Sequence, residues 1–421
     1  MPSSQLSLLA RQLRGSTILG IADEIRALVA QGQKILNLTV GDFNPKEFRI
    51  PKELEDAAVD ALRAGEANYP PPIGIEAMRR AVCGFYAHRG GREVKIESVL
   101  IAGGARPLIY SLYRALVDPG DRVVFGTPGW NNEYYCDMVG AEQVRVACGA
   151  ETGFLPTAAA LRPHLPGARL LALNSPLNPT GTSFSSEALG EIGDAVLEEN
   201  GRRGPTERPL YLFFDQVYWM VTTPGTVHYD PLVLRPELEP YLVTVDAISK
   251  AFAATGLRVG WAMASPSLTQ SLNNINGHIG AWAPRPEQLA AARLLANHAA
   301  VDRYIEVMRR EAAARLDTIY LGLQEMRKSG LPVDCLRPQG AIYASAQFAL
   351  RGRRTPEGNT LSNEDDIRRY LLQAAGVGVV PFSAFGASGD EGWFRLSIGT
   401  ASVAQLEALM PRLQAAVERL Q

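Results

Sequence analysis

Cysteine is scarce in this sequence, and long apolar segments are absent. Its four cysteines are far apart and match neither a metal-binding nor a redox-active spacing: Cys83, Cys136, Cys148 and Cys335. We interpret them as reduced packing residues and predict no metal site. No apolar run approaches the ~20 residues that a membrane span needs. The first residues, MPSSQLSLLARQLRG, also lack the apolar stretch of a secretory signal. We therefore expect a cytoplasmic protein with no membrane partner.

An excess of charge of either sign is also lacking. The 42 basic and 44 acidic side chains give a formal net charge of −2, so nucleic acid is not an expected partner. Apolar residues make up 46% of the chain and charged residues 20%, a globular balance. With 421 residues, the chain is long enough for one large or two medium domains.

Short β-rich runs alternate with helical segments between about residues 50 and 265. Most of these runs are continuously apolar, which is typical of strands buried on both faces of a parallel sheet. The sequence therefore predicts an α/β fold with a mostly parallel seven-stranded sheet. The predicted strands lie at 99–102, 122–125, 143–146, 169–173, 210–214, 241–245 and 259–263.

A long helical segment follows the last of these runs. Residues 286–328 have helical character with a break near Ala300, and the second part is long enough to link two domains. Strands and helices mix after it, which indicates a smaller α+β domain. We predict an N-terminal arm at 1–20, a small domain from 21–46 and 300–421, and a large domain at 47–299.

The segment DAISKAFAATGLRVGW at 246–261 contains one lysine among small residues, directly after a buried strand. A lysine is normally a solvated surface residue. In a poorly hydrated place its pKa falls, and Lys250 can then act as a nucleophile toward an aldehyde. Arg258, eight residues on, has the fork geometry that binds a phosphate.

Polar residues follow two further apolar runs. Asp215 ends the run LYLFF, and Tyr218 comes three residues later. Ligands bind at the carboxyl ends of strands in such sheets, although an Asp at this place often only caps a helix. Asn178 lies in SPLNPTG, which prolines keep from being helical. By itself SPLNPTG is a Pro/Gly turn.

Three weaker signals lie elsewhere. The strand–GG–helix pattern at 101–110 leaves backbone N–H groups free for an anion, although many βα turns contain glycines. Trp130 follows a Pro–Gly turn, where an indole stacks on an aromatic ligand or packs in the core. Arg395 lies in the apolar run FRLSIG, and a buried arginine needs an anionic partner, either internal or from a substrate.

Taken in order, these motifs resemble the fold-type I, class I/II aminotransferases, which use pyridoxal 5′-phosphate (PLP). The nearest resemblance is to the bacterial aspartate-aminotransferase-like subgroup. SPLNPTG, the D-x-x-Y pair and SK-x(7)-R have the family's order and approximate spacing, and the resemblance runs from about residue 15 to 415. It implies a large PLP-binding domain, a smaller α+β domain, and transfer of an amino group from an α-amino acid to a 2-oxo acid.

The resemblance implies roles for the residues around the cofactor ring. Lys250 forms the Schiff base with PLP and then acts as the general base. Asp215 pairs with the pyridine nitrogen, while Asn178 and Tyr218 hydrogen-bond the phenolic oxygen. Trp130 stacks on the ring. Lys250, Asp215 and Tyr218 are thus the expected catalytic groups.

The resemblance also implies sites for the phosphate and the substrate. The phosphate is expected to bind the backbone of Gly104 and Ala105 and the side chain of Arg258, with Arg106 as an additional candidate. Ser249 is a further expected cofactor-binding residue. Tyr69 resembles the tyrosine that reaches the phosphate of the neighbouring subunit, which implies a homodimer with shared active sites. Arg395 grips the substrate α-carboxylate, helped by the Gly41 backbone, with Trp130 and Asn178 also contacting the substrate.

Some positions depart from the family pattern. Ala247 stands where many relatives have a phosphate-binding Ser, Gln216 where Glu is usual, and GDFNP replaces GEPDF. At two further positions, relatives that bind a dicarboxylate have Lys and Thr, whereas this chain has Ala105 and Ile18. We therefore expect a neutral or aromatic substrate rather than aspartate, unless Arg106, or His278 or Arg285 of the neighbouring subunit, supplies the missing charge. Trp282 of the neighbouring subunit is a further candidate wall of this pocket.

Two alternatives belong to different functional classes. Other fold-type I PLP enzymes, namely C–S lyases, cyclopropane-carboxylate-type synthases and amino-acid oxidases, share the cofactor residues, so the fold does not separate them. A PLP-sensing transcription regulator needs a DNA-binding domain of ~60 residues ahead of residue 15. The sequence shows no such domain, which disfavours the regulator.

Overall fold

The computed structural model describes residues 5–13, 15, 17–389 and 391–421. The strands are β1 Leu36–Asn37, β2 Val99–Ala102, β3 Arg122–Thr127, β4 Glu142–Ala147, β5 Ala168–Asn174, β6 Tyr211–Asp215, β7 Leu242–Ala247, β8 Gly260–Met263, β9 Val333–Cys335, β10 Tyr343–Phe348, β11 Val377–Gly378, β12 Val380–Pro381 and β13 Trp393–Ser397.

The α-helices are α1 Leu8–Gln12, α2 Thr17–Ala30, α3 Lys52–Arg63, α4 Glu76–Phe85, α5 Ala105–Leu116, α6 Asn132–Val139, α7 Ala158–Leu161, α8 Ser186–Arg202, α9 Pro231–Leu234, α10 Ile248–Ala251, α11 Pro266–Ile279, α12 Arg285–Ala296, α13 His298–Lys328, α14 Glu364–Ala374 and α15 Val403–Glu418. None of the helices among the described residues combines the length and apolarity needed to cross a bilayer.

Seven of the described strands form one mixed sheet in the order β2-β8-β7-β6-β5-β3-β4. All pairs are parallel except those of β8, which runs antiparallel to β2 and β7. The central strands are buried almost throughout because helices cover both faces. The predicted α/β fold is confirmed, and each of the seven predicted runs is a strand of this sheet.

A second sheet is antiparallel, with the order β12-β13-β10-β9. The pair β1–β11 lies beside it and joins residues 36–37 in parallel to 377–378. The segment near residue 36 thus packs with the C-terminal part of the chain, as the predicted small domain requires. The domain boundaries themselves stay a prediction.

Helix α13 connects the two cores. Its N-terminus is capped by the Asn297 side chain, which accepts from the Ala300 backbone N–H, so the helical break predicted near Ala300 is at Asn297. Ile305 packs into the core beside the seven-stranded sheet, whereas Leu316 and Leu323 pack into the core of the four-stranded sheet. One helix of ~46 Å therefore holds the two sheets in a fixed relation.

Helix α2 spans Thr17–Ala30. Its inner face carries Ile21 and Ile25, which pack with Phe382 and Trp393 near the four-stranded sheet. Leu19 of the same helix is 61% accessible.

Candidate active site

A cavity of about 480 Å³ lies at the carboxyl ends of β5, β6 and β7. Asn174, Asp215 and Ala247 end these three strands and all line the cavity. The strands are parallel, so their last residues meet at one edge of the sheet, where α/β proteins bind ligands.

Lys250 projects into this cavity from α10, the single helical turn that follows β7. Its Nζ donates to the Gly41 carbonyl oxygen at 2.6 Å. Burial lowers the pKa of Lys250 to about 8, against an opposing effect of Asp42, and three arginines lower it further: Arg395, Arg106 and Arg258. At neutral pH a larger fraction of such an amine is unprotonated than of an ordinary lysine, and the unprotonated amine can act as a base or nucleophile.

Asp215 is buried, with 7% of its surface accessible. Its Oδ1 accepts from the Val217 backbone N–H at 3.1 Å, and its carbonyl oxygen accepts from the Asn174 amide at 2.9 Å. Burial raises the pKa of Asp215 to about 6, and the charge of Lys250 opposes this effect. No ion pair joins Asp215 to a basic side chain within the described ranges. A protonated ligand nitrogen would therefore supply the positively charged partner that the Asp215 carboxylate lacks among the described residues.

An anion-binding region lies beside Lys250. Gly104 has a φ of 93° and precedes Ala105, the first residue of α5, whose N-terminus has no side-chain cap. A Cβ on Gly104 would overlap the Arg258 guanidinium, so glycine is required at this position. Arg258 donates to the carbonyl oxygens of Gly103 at 3.0 Å and Thr255 at 2.8 Å. The uncapped N-terminus of α5 and the Arg258 guanidinium thus lie side by side, an arrangement that suits a phosphate.

Arg395 approaches the cavity from β13 of the four-stranded sheet. It is 1% accessible, and burial lowers its pKa. Its Nη1 donates to Asn178 Oδ1 at 3.0 Å, and its Nη2 donates to the Thr39 carbonyl oxygen. No carboxylate of the described residues forms an ion pair with Arg395. A guanidinium held by neutral acceptors at the cavity wall can bind a substrate carboxylate.

The structure brings most of the predicted site residues together. The residues that line the cavity are Gly41, Ala105, Arg106, Trp130, Asn178, Asp215, Tyr218, Ser249, Lys250, Arg258 and Arg395. Gly104 borders it through Ala105 and Arg258. Tyr69 is different, because it is 84% accessible and packs against Trp282 with ring centroids 5.1 Å apart.

The sequence reasoning missed several residues of the cavity. Tyr343 is the most central of these, since its hydroxyl lies 2.5 Å from that of Tyr218. Asn174 had a usable signal, because it is the polar residue that ends the apolar run RLLAL. Tyr343 had none, because an aromatic residue at the start of an apolar strand is typical of a core.

Comparison with known proteins places the chain in a family. The family model described as aminotransferase class I and II matches residues 33–413. An aspartate aminotransferase of Rhizobium meliloti (strain 1021) is 30% identical over 424 residues, covering 100% of this chain and 97% of the relative. A probable aspartate/prephenate aminotransferase of Rickettsia bellii is 28% identical over 98% of this chain and 99% of the relative.

A solved structure leads to the same family. The crystal structure of the aspartate aminotransferase from Rhizobium meliloti has a TM-score of 0.89 to this chain and 28% identity. The superposition covers 99% of this chain and 100% of that one, so both sheets and the cavity region are included. The chain belongs to the class I and II aminotransferases, which are PLP-dependent transferases.

Proposed function

We propose that PLP binds in the cavity at the strand ends, that Lys250 holds it as a Schiff base, and that the chain moves an amino group from a neutral or aromatic α-amino acid to a 2-oxo acid. The observation that carries the cofactor assignment is the meeting of three groups in one cavity. These are the amine of Lys250, the buried carboxylate of Asp215, and the anion-binding region of Gly104, Ala105 and Arg258.

The chemical types of these groups match the charged and aromatic parts of PLP. Asp215 forms no ion pair with a basic side chain of the described residues and would hold the protonated pyridine nitrogen. Arg258, Ser249 and the backbone of Gly104 and Ala105 would hold the phosphate, since Ala247 offers no hydroxyl there. Trp130 would stack on the ring. Bound PLP supplies a conjugated ring that accepts the electron pair left when a proton leaves the substrate Cα.

Side chains of the protein bind the substrate and move its proton. Arg395 binds the α-carboxylate, supported by Asn178, and this contact orients the substrate Cα toward Lys250. Once the substrate amine has displaced it from the cofactor, Nζ of Lys250 would remove the Cα proton, and its lowered pKa keeps the free amine largely unprotonated at mildly alkaline pH. Tyr218 donates its hydroxyl to the cofactor's phenolic oxygen. The family match favours transamination over the lyase, synthase and oxidase alternatives.

The cavity walls support a neutral or aromatic donor. Ile18 and Ala105 both line the cavity, at the positions where dicarboxylate-binding relatives were expected to differ. Further apolar or aromatic residues line it as well: Leu13, Leu19, Ile109, Tyr134, Tyr135 and Met138. A second carboxylate buried against such walls would cost several kcal/mol without a partner. Arg106 follows the altered position Ala105 in the chain, and its guanidinium carbon lies 5.5 Å from the Trp130 ring centroid.

Borohydride reduction of the PLP-loaded enzyme tests the cofactor assignment. Peptide mapping should place the pyridoxyl label on Lys250, because its amine is the one in the cavity. Lys250→Ala should abolish turnover while PLP still binds non-covalently. Lys52→Ala, an exposed variant on α3, serves as the control and should keep label and turnover. A label on another lysine contradicts the assignment.

Asp215→Asn should retain PLP and lose about 30- to 1,000-fold in kcat, roughly 2–4 kcal/mol. An amide cannot supply the charge that keeps the pyridine nitrogen protonated. The matched control is Asp230→Asn, since Asp230 is also 7% accessible but caps α9 outside the cavity. The kcat of Asp230→Asn, per folded protein, should change far less than that of Asp215→Asn. Equal losses in both variants would mean that the effect is structural.

A homodimer with shared sites predicts complementation between two inactive variants. Tyr69 is exposed in the single chain, as a residue acting on a partner subunit must be. Mixing Tyr69→Ala with Lys250→Ala should restore roughly a quarter of wild-type activity, because random pairing makes half of the dimers mixed, each with one intact site. Mixed dimers demonstrated by mass but without activity would place Tyr69 in its own subunit's site.

Donor preference is tested by kcat/KM for aspartate, glutamate, alanine, leucine, phenylalanine and tyrosine with one common oxo acid. We expect the neutral donors to exceed aspartate. Aspartate exceeding every neutral donor tenfold, about 1.4 kcal/mol, would show that another cation binds the second carboxylate. Arg106→Gln identifies it, because a loss restricted to aspartate and glutamate would assign that role to Arg106.

A further inference from the structure

Tyr343 is the buried polar residue of the cavity to which the proposed function assigns no role. It is the first residue of β10 and is 1% accessible. Its hydroxyl lies 2.5 Å from the Tyr218 hydroxyl, and the two rings meet edge to face with centroids 5.5 Å apart. Burial raises the pKa of both tyrosines, so both hydroxyls stay protonated at neutral pH. One of the two therefore donates to the other.

The Tyr343 hydroxyl also lies against the backbone at Gly41, whose carbonyl oxygen accepts a hydrogen bond from Lys250. A Cβ built on Gly41 would overlap the Tyr343 oxygen, and the next nearest atom of that ring, Cζ, would be 3.4 Å away. The Gly41 carbonyl oxygen accepts from Lys250 Nζ at 2.6 Å. Because residue 41 has no side chain, the Tyr343 hydroxyl, the Gly41 backbone and Lys250 Nζ lie close together.

The ring of Tyr343 supports Arg395. The Arg395 Cζ is 4.6 Å from the Tyr343 ring centroid and 4.8 Å from that of Phe385. The Nε of Arg395 is buried and has no hydrogen-bond partner among the described residues. Two aromatic rings therefore supply much of the contact that fixes this guanidinium.

We propose that Tyr343 is a positioning residue with two separable roles: its hydroxyl orients and polarises the Tyr218 hydroxyl, and its ring holds Arg395 for the substrate carboxylate. The inference rests on the proposed function, because it needs Tyr218 at the cofactor and Arg395 at the substrate. When Tyr218 donates to the phenolic oxygen, Tyr343 must donate to Tyr218. A hydroxyl that accepts such a bond becomes a stronger donor.

The hydroxyl role is tested by Tyr343→Phe, which keeps the ring. The measurement is the pH midpoint of the absorbance change of the PLP-loaded enzyme, which reports the proton at the Lys250 nitrogen. A donor at the phenolic oxygen draws charge from that nitrogen, so weakening the donor should raise the midpoint by about 0.5 pH unit. The charged groups around Lys250, namely Asp42, Arg106, Asp215, Arg258 and Arg395, are unchanged by this variant.

Two further variants, a reference and a control, are needed to interpret the Tyr343→Phe midpoint. Tyr218→Phe should raise the midpoint by more, about one pH unit, and no shift there would overturn the role proposed for Tyr218 itself. Tyr370→Phe is the matched control, because Tyr370 is also buried and its hydroxyl donates to the Ala416 carbonyl oxygen, away from the cavity. It should leave the midpoint unchanged. A shift for Tyr218→Phe with none for Tyr343→Phe would overturn the hydroxyl role of Tyr343.

The ring role is tested by binding of a monocarboxylate, 3-phenylpropanoate, to the PLP-loaded enzyme. Tyr343→Phe should change Kd by less than about twofold, whereas Tyr343→Leu should raise it about threefold to tenfold, because the cation–ring contact is lost. KM for the amino acid should rise in the Leu variant as well. Equal Kd values for the two variants would overturn the ring role, and circular dichroism shows whether the Leu variant is folded.

A double-mutant cycle with Gly41 tests whether these contacts form one unit. Gly41→Ala should displace the Tyr343 hydroxyl and raise the absorbance midpoint as Tyr343→Phe does. In the Tyr343→Phe background the overlapping oxygen is gone, so the added methyl group fits against Cζ. The second substitution should therefore have a much smaller effect there. Additive shifts in the double variant would mean that Gly41 and Tyr343 act independently, against the proposal.

Discussion

The active site depends on the burial of the Lys250 amine and the Asp215 carboxylate at the same edge of the seven-stranded sheet. Burial disfavours the charged form of each group, so the pKa of Lys250 falls to about 8 and that of Asp215 rises to about 6. Burial is the largest cause of both shifts. It arises because Asp215 is the last residue of β6 and Lys250 lies three residues beyond β7, at the ends of two buried strands. The apolar strands that build the core thus also set the chemistry of the site.

The second requirement is that two sheets contribute to one cavity. The seven-stranded sheet supplies Lys250 and Asp215, and the four-stranded sheet supplies Arg395 and Tyr343. Helix α13 packs into both cores, which fixes the distance between Lys250 at the end of one sheet and Arg395 on the other. Productive geometry in such a site depends on the long helix as much as on the groups that touch the substrate.

Close approach of backbone and side chains explains the glycines at the cavity. Gly104 has a positive φ and borders the Arg258 guanidinium, while Gly41 borders the Tyr343 hydroxyl. In both places the absence of a side chain allows a polar group to lie next to the backbone that would hold a ligand. Ala105 and Ile18 contribute apolar side chains to the cavity wall, and the proposed neutral or aromatic substrate rests on this property.

The sequence by itself determined the seven strands and the main cavity residues, because both rest on local patterns. Continuous apolar runs predicted the strands, and the residues directly after these runs included Asp215 and Lys250, which the parallel arrangement had to bring to one edge. The family resemblance added roles to these positions.

Only the tertiary structure decided which residues meet across the two sheets. Lys250 bonds to Gly41 and Arg395 to Thr39, contacts between residues more than two hundred positions apart that no local pattern encodes. Tyr343 looked like a core residue until β10 was paired with β13, which brings its hydroxyl to Tyr218 and its ring to Arg395. Contacts of this kind arise from the packing of whole elements, and a sequence pattern describes only the elements one at a time.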